Sequence, residues 1–249
     1  MKHRTHKMEK LFLNVAAAIL KIPFIHNFFV LISSYTKKIV INLLKRREKY
    51  LLNPRIWSNK ELEKFATLFH GNIINVSGWR DEDKTGRKYK DYFTHCTTYT
   101  ISNYYGEKGL QHTDNEIFID LEKDIPEEYK NRFDVVFNHT TLEHTFDIKK
   151  AIQNLCLISK DIIILITPFL QQVHDEDGSF GDFWRPTPKC IERMLSQNGF
   201  TIIYQSSNDN EWSHVYIFSI ASKNPEKYRG KIPFRKIDYN VGERLFGLK

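Results

Sequence analysis

The chain has 249 residues, a formal net charge of +7 and 41% hydrophobic side chains. This length and apolar content are enough for a globular domain with a full core, and they exclude an intrinsically disordered chain. The positive charge favours an anionic partner, and nucleic acid, anionic lipid and an acidic glycan are the candidates.

Residues 1–55 are interpreted as a basic amphipathic helical extension, in which apolar stretches at residues 11–20 and 28–32 precede a basic cluster. A membrane-spanning helix needs about 20 uninterrupted apolar residues. Lys21 and Pro23 interrupt this run, so no membrane span is predicted. The same two residues stand where a signal peptide would be cleaved, so secretion is not expected. The basic cluster comprises Lys37, Lys38, Lys45, Arg46, Arg47 and Lys49.

Two interpretations of this extension stay open. It could form an interfacial helix pair that holds the protein on anionic lipid, at the inner face of the cytoplasmic membrane. It could instead pack on the following domain or on a second subunit, which would make the chain a homodimer.

Residues 56–222 alternate short β-branched runs with helical stretches, a pattern typical of a parallel sheet covered by helices. The apolar run at residues 161–167, which we expect Pro168 to stop, is typical of a central strand. Residues 201–205 and 214–221 predict a closing hairpin, and residues 223–249 are interpreted as a basic tail lying on the domain. Further strands are predicted at residues 73–76, 99–102, 116–120 and 133–137, and helices at 59–69, 148–159 and 188–198, the last ended by Gly199.

The three cysteines, Cys96, Cys156 and Cys190, are far apart in the sequence and show no CxxC pairing. A disulfide framework or a zinc cluster is therefore not expected, and a reducing cytoplasm fits best.

Several motifs of the second half occur in a familiar order. The strand FDVVF at residues 133–137 is followed by Leu142-Glu143-His144 and by an apolar strand that ends at Pro168, and then by DFWRPTP at residues 182–188 and NGF at residues 198–200. Together these motifs resemble class I S-adenosylmethionine-dependent methyltransferases, in particular the methyltransferase-domain proteins of surface-polysaccharide loci. The resemblance implies a Rossmann-like α/β fold with a mainly parallel seven-stranded sheet and a C-terminal antiparallel hairpin.

The resemblance implies an acceptor site beyond the fourth strand, because ligands of open α/β sheets bind at the carboxyl ends of the strands. His139, Glu143 and His144 would lie there, and an imidazole could take a proton from a hydroxyl group as that group attacks the methyl. The alternative is that Glu143 and His144 cap the following helix.

The loop at residues 169–185 would form the wall facing the acceptor. His174 with Asp175 and Asp177 could bind a divalent metal, but a short charged run is more typical of a solvated loop, and no metal site is predicted. Arg185 could clamp a carboxylate or phosphate of the acceptor. The alternative for Arg185 is a salt bridge to Asp182.

The first half departs from the family pattern of an acidic residue and a GxGxG turn. Only Gly78 could let the backbone approach the cofactor closely, and Asn103 stands where the family has the acidic residue that holds the ribose. Asp120-Leu121 resembles the position that meets the adenine. Asp81 or Asp83 could replace missing polar contacts. The residues expected to bind S-adenosylmethionine are Asn75, Ser77, Gly78, Trp79, Asn103, Asp120, Leu121 and Asn138.

The leading hypothesis is therefore a cytoplasmic S-adenosylmethionine-dependent O-methyltransferase, with a sugar of a surface polysaccharide or lipid-linked glycan, or another small anionic molecule, as acceptor. The alternative is a catalytically inactive scaffold with this fold, because Trp79 and Arg80 could fill the cofactor pocket. Nucleic acid is not expected as a partner, because no NPPY-like tetrad is present.

Overall fold

The computed structural model describes residues 23–47, 53–105, 109–176, 180–208 and 215–238. The chain divides into two compact units, Met1–Lys49 and Tyr50–Lys249. The predicted apolar stretch at residues 11–20 and the end of the predicted tail, residues 239–249, lie outside the described residues.

The first unit contributes one described helix, α1 (Pro23–Arg47). Among the residues that the structure describes, no helix is long and apolar enough to cross a membrane. The large apolar side chains of α1 that are described as exposed are Phe28, Phe29, Val30, Leu31, Ile32, Tyr35, Ile39, Val40 and Leu43.

The second unit is built on a seven-stranded sheet with the order β3-β2-β1-β4-β5-β7-β6. Strands β1 to β5 are parallel, and β7 runs antiparallel to both β5 and β6. This is the predicted mixed α/β sheet with its C-terminal hairpin. The strands are β1 (Gly71–Val76), β2 (Cys96–Asn103), β3 (Glu116–Phe118), β4 (Phe133–His139), β5 (Ser159–Leu170), β6 (Thr201–Ser207) and β7 (Val215–Ser222).

The strand order reverses between β1 and β4, which pair in parallel at the centre of the sheet. In open α/β sheets the ligand-binding crevice lies beyond the carboxyl ends of the strands at such a reversal. The fold therefore predicts a ligand-binding crevice beside the residues that follow Val76 and His139.

The α-helices in the described part of this unit are α2 (Pro54–Phe65), α3 (Ile148–Ile158) and α4 (Pro188–Ser196). Helix α2 begins five residues before its predicted start at residue 59. The side chain of Asn53 accepts a hydrogen bond from the Arg55 amide, and Pro54 occupies the first helical position, where its missing N–H costs nothing. Gly199 follows α4 with φ of 81°, a left-handed conformation that ends a helix.

The expectation that Pro168 stops the fifth strand is wrong, because β5 continues to Leu170. Strand β4 ends at His139, opposite Ile166, so that at Pro168 only β7 pairs with β5. A proline is tolerated where a strand has one neighbour, since its missing N–H need not enter a ladder.

The core forms two layers, one on each face of the sheet. One layer includes Ile152 of α3 and Leu195 of α4. The other includes Leu62 of α2 together with Tyr228 and Ile232 from beyond β7. The C-terminal segment also covers the outer edge of β6, because the Arg235 amide donates to the Ile203 carbonyl at 3.1 Å and the Arg235 carbonyl accepts from the Gln205 amide at 2.7 Å.

Candidate active site

The turn after β1 is tightly packed against its own strand. Ser77, Trp79 and Asp81 have φ angles of 58°, 47° and 56°. The amide of Gly78 donates to the Ser102 carbonyl at 3.2 Å. A Cβ atom on Gly78 would lie 2.6 Å from Asn75 Nδ2, so only glycine lets the turn close over this side chain.

Asn75 and Asp81 brace this turn from inside. The buried carboxylate of Asp81 accepts hydrogen bonds from Asn75 Nδ2 at 2.7 Å, from the Tyr99 hydroxyl at 2.7 Å and from the Lys90 amide at 3.0 Å. Burial raises the pKa of Asp81, while these hydrogen bonds act in the opposite direction. Both side chains are therefore engaged in holding the turn.

Asn103, at the end of β2, is committed to the same turn. Its Oδ1 accepts from the Trp79 amide at 2.7 Å, and its Nδ2 donates to the Trp79 carbonyl at 3.1 Å and also to Glu116. A ribose hydroxyl would have to share these groups. The Trp79 ring itself is 39% exposed, and the Arg80 guanidinium lies 4.9 Å from the ring centroid.

Asp120 and Leu121, which follow β3, face different surroundings. Asp120 is half-buried; its Oδ1 accepts from the Glu122 amide at 2.8 Å, and its Oδ2 has no hydrogen-bond partner among the described residues. The Leu121 side chain is buried in the core, and its carbonyl accepts from Asn154 Nδ2 at 2.8 Å. Asp120 is thus the member of the pair that can meet a ligand with its side chain.

Asn138 lies at the reversal of strand order itself. It is fully buried, and its Nδ2 donates to the Val76 carbonyl at 3.0 Å. Its Oδ1 has no partner within the described part of the chain. A buried acceptor without a partner costs about 1–3 kcal/mol, so Asn138 Oδ1 has hydrogen-bonding capacity that the described residues do not use.

His139 has partners at both ring nitrogens. Nε2 lies 2.9 Å from Ser58 Oγ, and Nδ1 lies 3.1 Å from Thr140 Oγ1. The Ser58 hydroxyl donates to the Arg55 carbonyl at 2.9 Å, and Thr140 Oγ1 accepts from Arg55 Nη2 at 2.9 Å. Burial, followed by the charge of Arg55, lowers the pKa of His139 well below its ordinary value. Neutral His139 then donates from Nε2 and accepts at Nδ1, an assignment made from the network.

Unlike His139, His144 has a hydrogen-bond partner at one ring nitrogen only, among the described residues. Its Nδ1 donates to the Gly181 carbonyl at 2.6 Å, which leaves Nε2 as the unprotonated nitrogen of the neutral ring. Nε2 lies 3.7 Å from Glu143 Oε1 and makes no hydrogen bond to any described residue. Burial lowers the pKa of His144, so its lone pair is available at neutral pH.

Glu143 is 3% exposed, and its Oε2 has no hydrogen-bond partner among the described residues. Burial raises its pKa to about 8, because a charged carboxylate is poorly solvated away from water. Glu143 is therefore mainly protonated at pH 7, and it can donate a hydrogen bond.

Arg185 and His174 lie on the segment that follows β5, and the His174 ring meets the His144 ring with centroids 5.8 Å apart. The guanidinium of Arg185 forms a two-pronged ion pair with Asp182, with both N···O distances at 2.5 Å. Asp182 also accepts from the His174 amide at 2.6 Å, while the ring of His174 is exposed and packs on Phe180, with ring centroids 5.1 Å apart. Within the described residues no group of three or more His, Cys, Asp or Glu could hold a metal, and Asp177 lies outside them.

Three exposed aromatic side chains border Glu143. The Phe183 amide donates to the Glu143 carbonyl at 2.7 Å, and the Phe183 ring meets Phe146 edge to face with centroids 5.4 Å apart. The Trp184 indole donates to the Phe146 carbonyl at 3.1 Å. We call Phe146, Phe183 and Trp184 the aromatic rim.

Sequence reasoning did not identify Arg55 and Ser58, which belong to the His139 network, as site residues. It also missed Tyr216, whose ring meets the His139 ring edge to face with centroids 6.3 Å apart. The Asn-Pro pair at residues 53–54 is a helix-start signal that would have placed Arg55 in the first turn of α2. Tyr216 lies opposite Pro168 across β5 and β7, and no local motif marks it.

No protein-family model matches the sequence, and no curated protein does. Solved structures do resemble the fold. A chain from the complex between the Haloferax volcanii Trm112 methyltransferase activator and its candidate methyltransferase has a TM-score of 0.53 at 9% identity, with 73% of this chain and 95% of that chain covered.

Two further structures give lower scores. A candidate methyltransferase of Bacillus halodurans has a TM-score of 0.49 at 11% identity, with 66% of this chain and 97% of that chain covered. Magnesium protoporphyrin IX methyltransferase of Synechocystis, with bound S-adenosylhomocysteine, has a TM-score of 0.44 at 12% identity, with 75% of this chain and 99% of that chain covered. At these identities the likeness concerns the fold, and the second unit of the chain has the Rossmann-like fold of class I methyltransferase structures.

Proposed function

We propose that the chain is an S-adenosylmethionine-dependent O-methyltransferase that methylates a sugar hydroxyl of a surface polysaccharide or lipid-linked glycan. The observation that carries the proposal is the pair formed by His144 and Glu143, at the reversal of strand order. One nitrogen of His144 is fixed by the Gly181 carbonyl, and the other is free beside a buried carboxyl group. This arrangement suits proton removal from a hydroxyl.

The residues at the ends of β1, β3 and β4 fit the cofactor. The closely packed turn at Gly78 and the unpartnered Oδ1 of Asn138 would border it, and Asp120 offers a free carboxylate oxygen to hydroxyl or amino groups. Bound S-adenosylmethionine would supply an electrophilic methyl group. Asn103 would act indirectly, by holding the backbone of Trp79.

The chain's own contribution to the reaction is positioning and proton transfer. His144 Nε2 would accept the proton of the acceptor hydroxyl while Nδ1–H stays bonded to the Gly181 carbonyl, which stabilises the resulting imidazolium. Asp182 favours the protonated form of His144 electrostatically. Alignment of the attacking oxygen with the methyl group supplies the remaining rate effect.

Two features support the choice of acceptor and location. The aromatic rim offers flat apolar faces to a sugar ring beside Glu143. The exposed apolar side chains of α1, with Lys37 and Lys38 on the same helix, suit peripheral contact with anionic lipid on the inner face of the cytoplasmic membrane. The same exposed helix could alternatively join two copies of the chain.

Calorimetric titration of the full chain with S-adenosylmethionine and S-adenosylhomocysteine tests the cofactor. We expect micromolar binding that is weakened when Asp120 is changed to alanine. No heat with a folded protein would contradict the proposal and favour the scaffold alternative, in which Trp79 fills the pocket.

Transfer of labelled methyl to isolated lipid-linked glycans tests the reaction. We expect His144→Ala to lower kcat by about 10²-fold, the usual contribution of a general base, without change in cofactor affinity. His70→Ala is the matched control, because His70 is an exposed histidine that precedes β1, at the opposite end of the sheet. Equal rates for both variants would remove His144 from the mechanism.

A further inference from the structure

Arg55 is a half-buried cation without a carboxylate partner. It belongs to the first turn of α2, and its Nη2 donates to Thr140 Oγ1 at 2.9 Å. Its charge also acts on the nearby Tyr216 hydroxyl. Both groups are neutral hydroxyls, and no ion pair involves Arg55 among the described residues. A desolvated charge normally requires an opposite charge, and no described carboxylate forms an ion pair with Arg55.

Four titratable groups that interact with Arg55 are uncharged at pH 7, and one of them, Tyr89, also faces the carboxylates of Asp83 and Asp81. Glu143 is mainly protonated at pH 7, because burial raises its pKa to about 8. Burial also lowers the pKa of His139 and raises the pKa of Tyr89 and Tyr216, so that all three are uncharged.

Lys84 and Arg185 are two further charged groups that interact with Arg55 or with Glu143. Lys84 is a second cation nearby, and the charge of Arg55 lowers its pKa. Arg185 acts on Glu143 electrostatically, but it is already neutralised by Asp182. Arg55 and Lys84 therefore bring two positive charges close to the segment that follows β4.

The guanidinium is held in place before any ligand arrives. The Arg55 side chain donates to Thr140, the Thr140 hydroxyl to His139, the His139 ring to Ser58, and the Ser58 hydroxyl back to the Arg55 carbonyl. This closed ring of hydrogen bonds fixes both ends of the arginine. A cation fixed in this way loses little conformational entropy on binding, and its remaining N–H groups suit an anion with two acceptor oxygens.

We infer that Arg55, assisted by Lys84, binds a carboxylate or phosphate group of the acceptor and so selects an acidic substrate. This inference rests on the proposed function, because it assigns the substrate class of the same site. His139 is then a positioning residue, which holds Thr140 and Ser58 against Arg55. The protonated carboxyl of Glu143 can donate a further hydrogen bond to the same anion.

The test is calorimetric titration of the full chain, saturated with S-adenosylhomocysteine, with D-glucuronate, D-glucose 1-phosphate and neutral methyl glucoside. We expect at least one acid to bind about 10-fold or more tightly than the neutral sugar. The two acids distinguish a carboxylate from a phosphate. Arg55→Met should remove this preference, and Lys84→Met should weaken it about threefold.

Arg132→Met is the matched control, because Arg132 is an exposed arginine that precedes β4 at the opposite end of the sheet; it should bind the acids as the unaltered chain does. The inference is overturned if neither acid is preferred, or if Arg55→Met and Lys84→Met both keep the preference.

Affinity for S-adenosylhomocysteine should be equal in all variants. If the unaltered chain does not bind S-adenosylhomocysteine, that result counts against the proposed function. The acids are therefore also titrated without S-adenosylhomocysteine, where Arg55-dependent binding would support the anion site by itself.

Discussion

At the scale of single residues, Glu143 links stability to pH. Its pKa is about 8 in the folded chain, against an ordinary value of 4.5. A raised folded-state pKa contributes stability that is complete below about pH 4.5 and is lost as pH rises to about 8. We expect Glu143→Gln to remove this dependence, because an amide resembles the protonated carboxyl and does not ionise.

Urea unfolding at pH 5, 6.5 and 8 measures the effect. The free energy of unfolding of Glu143→Gln should be close to that of the unaltered chain at pH 5 and higher by roughly 2–5 kcal/mol at pH 8, since each pKa unit corresponds to about 1.4 kcal/mol. A constant difference across the three pH values would show that the pKa of Glu143 is not raised by folding. Glu128→Gln, on the exposed surface, serves as the control.

Gly78 is a second residue with a local and measurable consequence. Gly78→Ala would place a methyl group 2.6 Å from Asn75 Nδ2 and push Asn75 away from the buried carboxylate of Asp81. We expect a loss of about 1–3 kcal/mol in the free energy of unfolding. Because both changes act on one contact, the double variant with Asn75→Ala should cost less than the sum of the single variants. Strict additivity would contradict the contact.

The sequence predicted which short segments lie at the carboxyl ends of the strands, but it could not give the contacts of their side chains. His139, Glu143 and His144 follow a recognisable strand, so their place at its carboxyl end could be predicted. The difference between the two histidines depends on contacts distant in sequence: Ser58 is 81 residues from His139, and Gly181 is 37 residues from His144. No local pattern encodes such pairs.

At the scale of elements, periodicity predicted each strand of the sheet and its closing hairpin, because buried strands give apolar runs of distinct length. The errors occurred at boundaries that depend on neighbours. Strand β5 extends beyond Pro168 because β4 ends earlier and β7 continues the pairing. The first turn of α2 is polar and was missed, although Asn53 and Pro54 define its start.

The C-terminal segment offers a test at this scale. Ile232 is 2% exposed and belongs to the core layer that contains α2, whereas Phe234 is 43% exposed. We expect Ile232→Ala to lower the free energy of unfolding by about 2–4 kcal/mol and Phe234→Ala to lower it by less than about 1 kcal/mol. Chemical denaturation of the two variants compares them directly, and equal losses would mean that the segment does not pack as described.

At the scale of the whole molecule, we expect the basic extension to determine whether the chain binds to anionic membranes. We expect changing Lys45, Arg46 and Arg47 to glutamate to lower binding to phosphatidylserine vesicles by 10²-fold or more, since each basic residue contributes about 1 kcal/mol at an anionic surface. In the matched control, the exposed Lys60, Lys90 and Lys149 of the second unit are changed to glutamate instead. Unchanged binding would favour helix packing, and sedimentation equilibrium would then show whether two copies associate.

The two edge strands of the sheet affect how readily the concentrated protein aggregates. At one edge, β3 has three residues; at the other, the backbone of Arg235 occupies the middle of β6. Long unpaired edge strands are the usual template on which a second chain adds and fibrils begin to grow. Neither edge of this sheet offers such a template, so that a chain which keeps its C-terminal segment in place is protected from edge-to-edge aggregation.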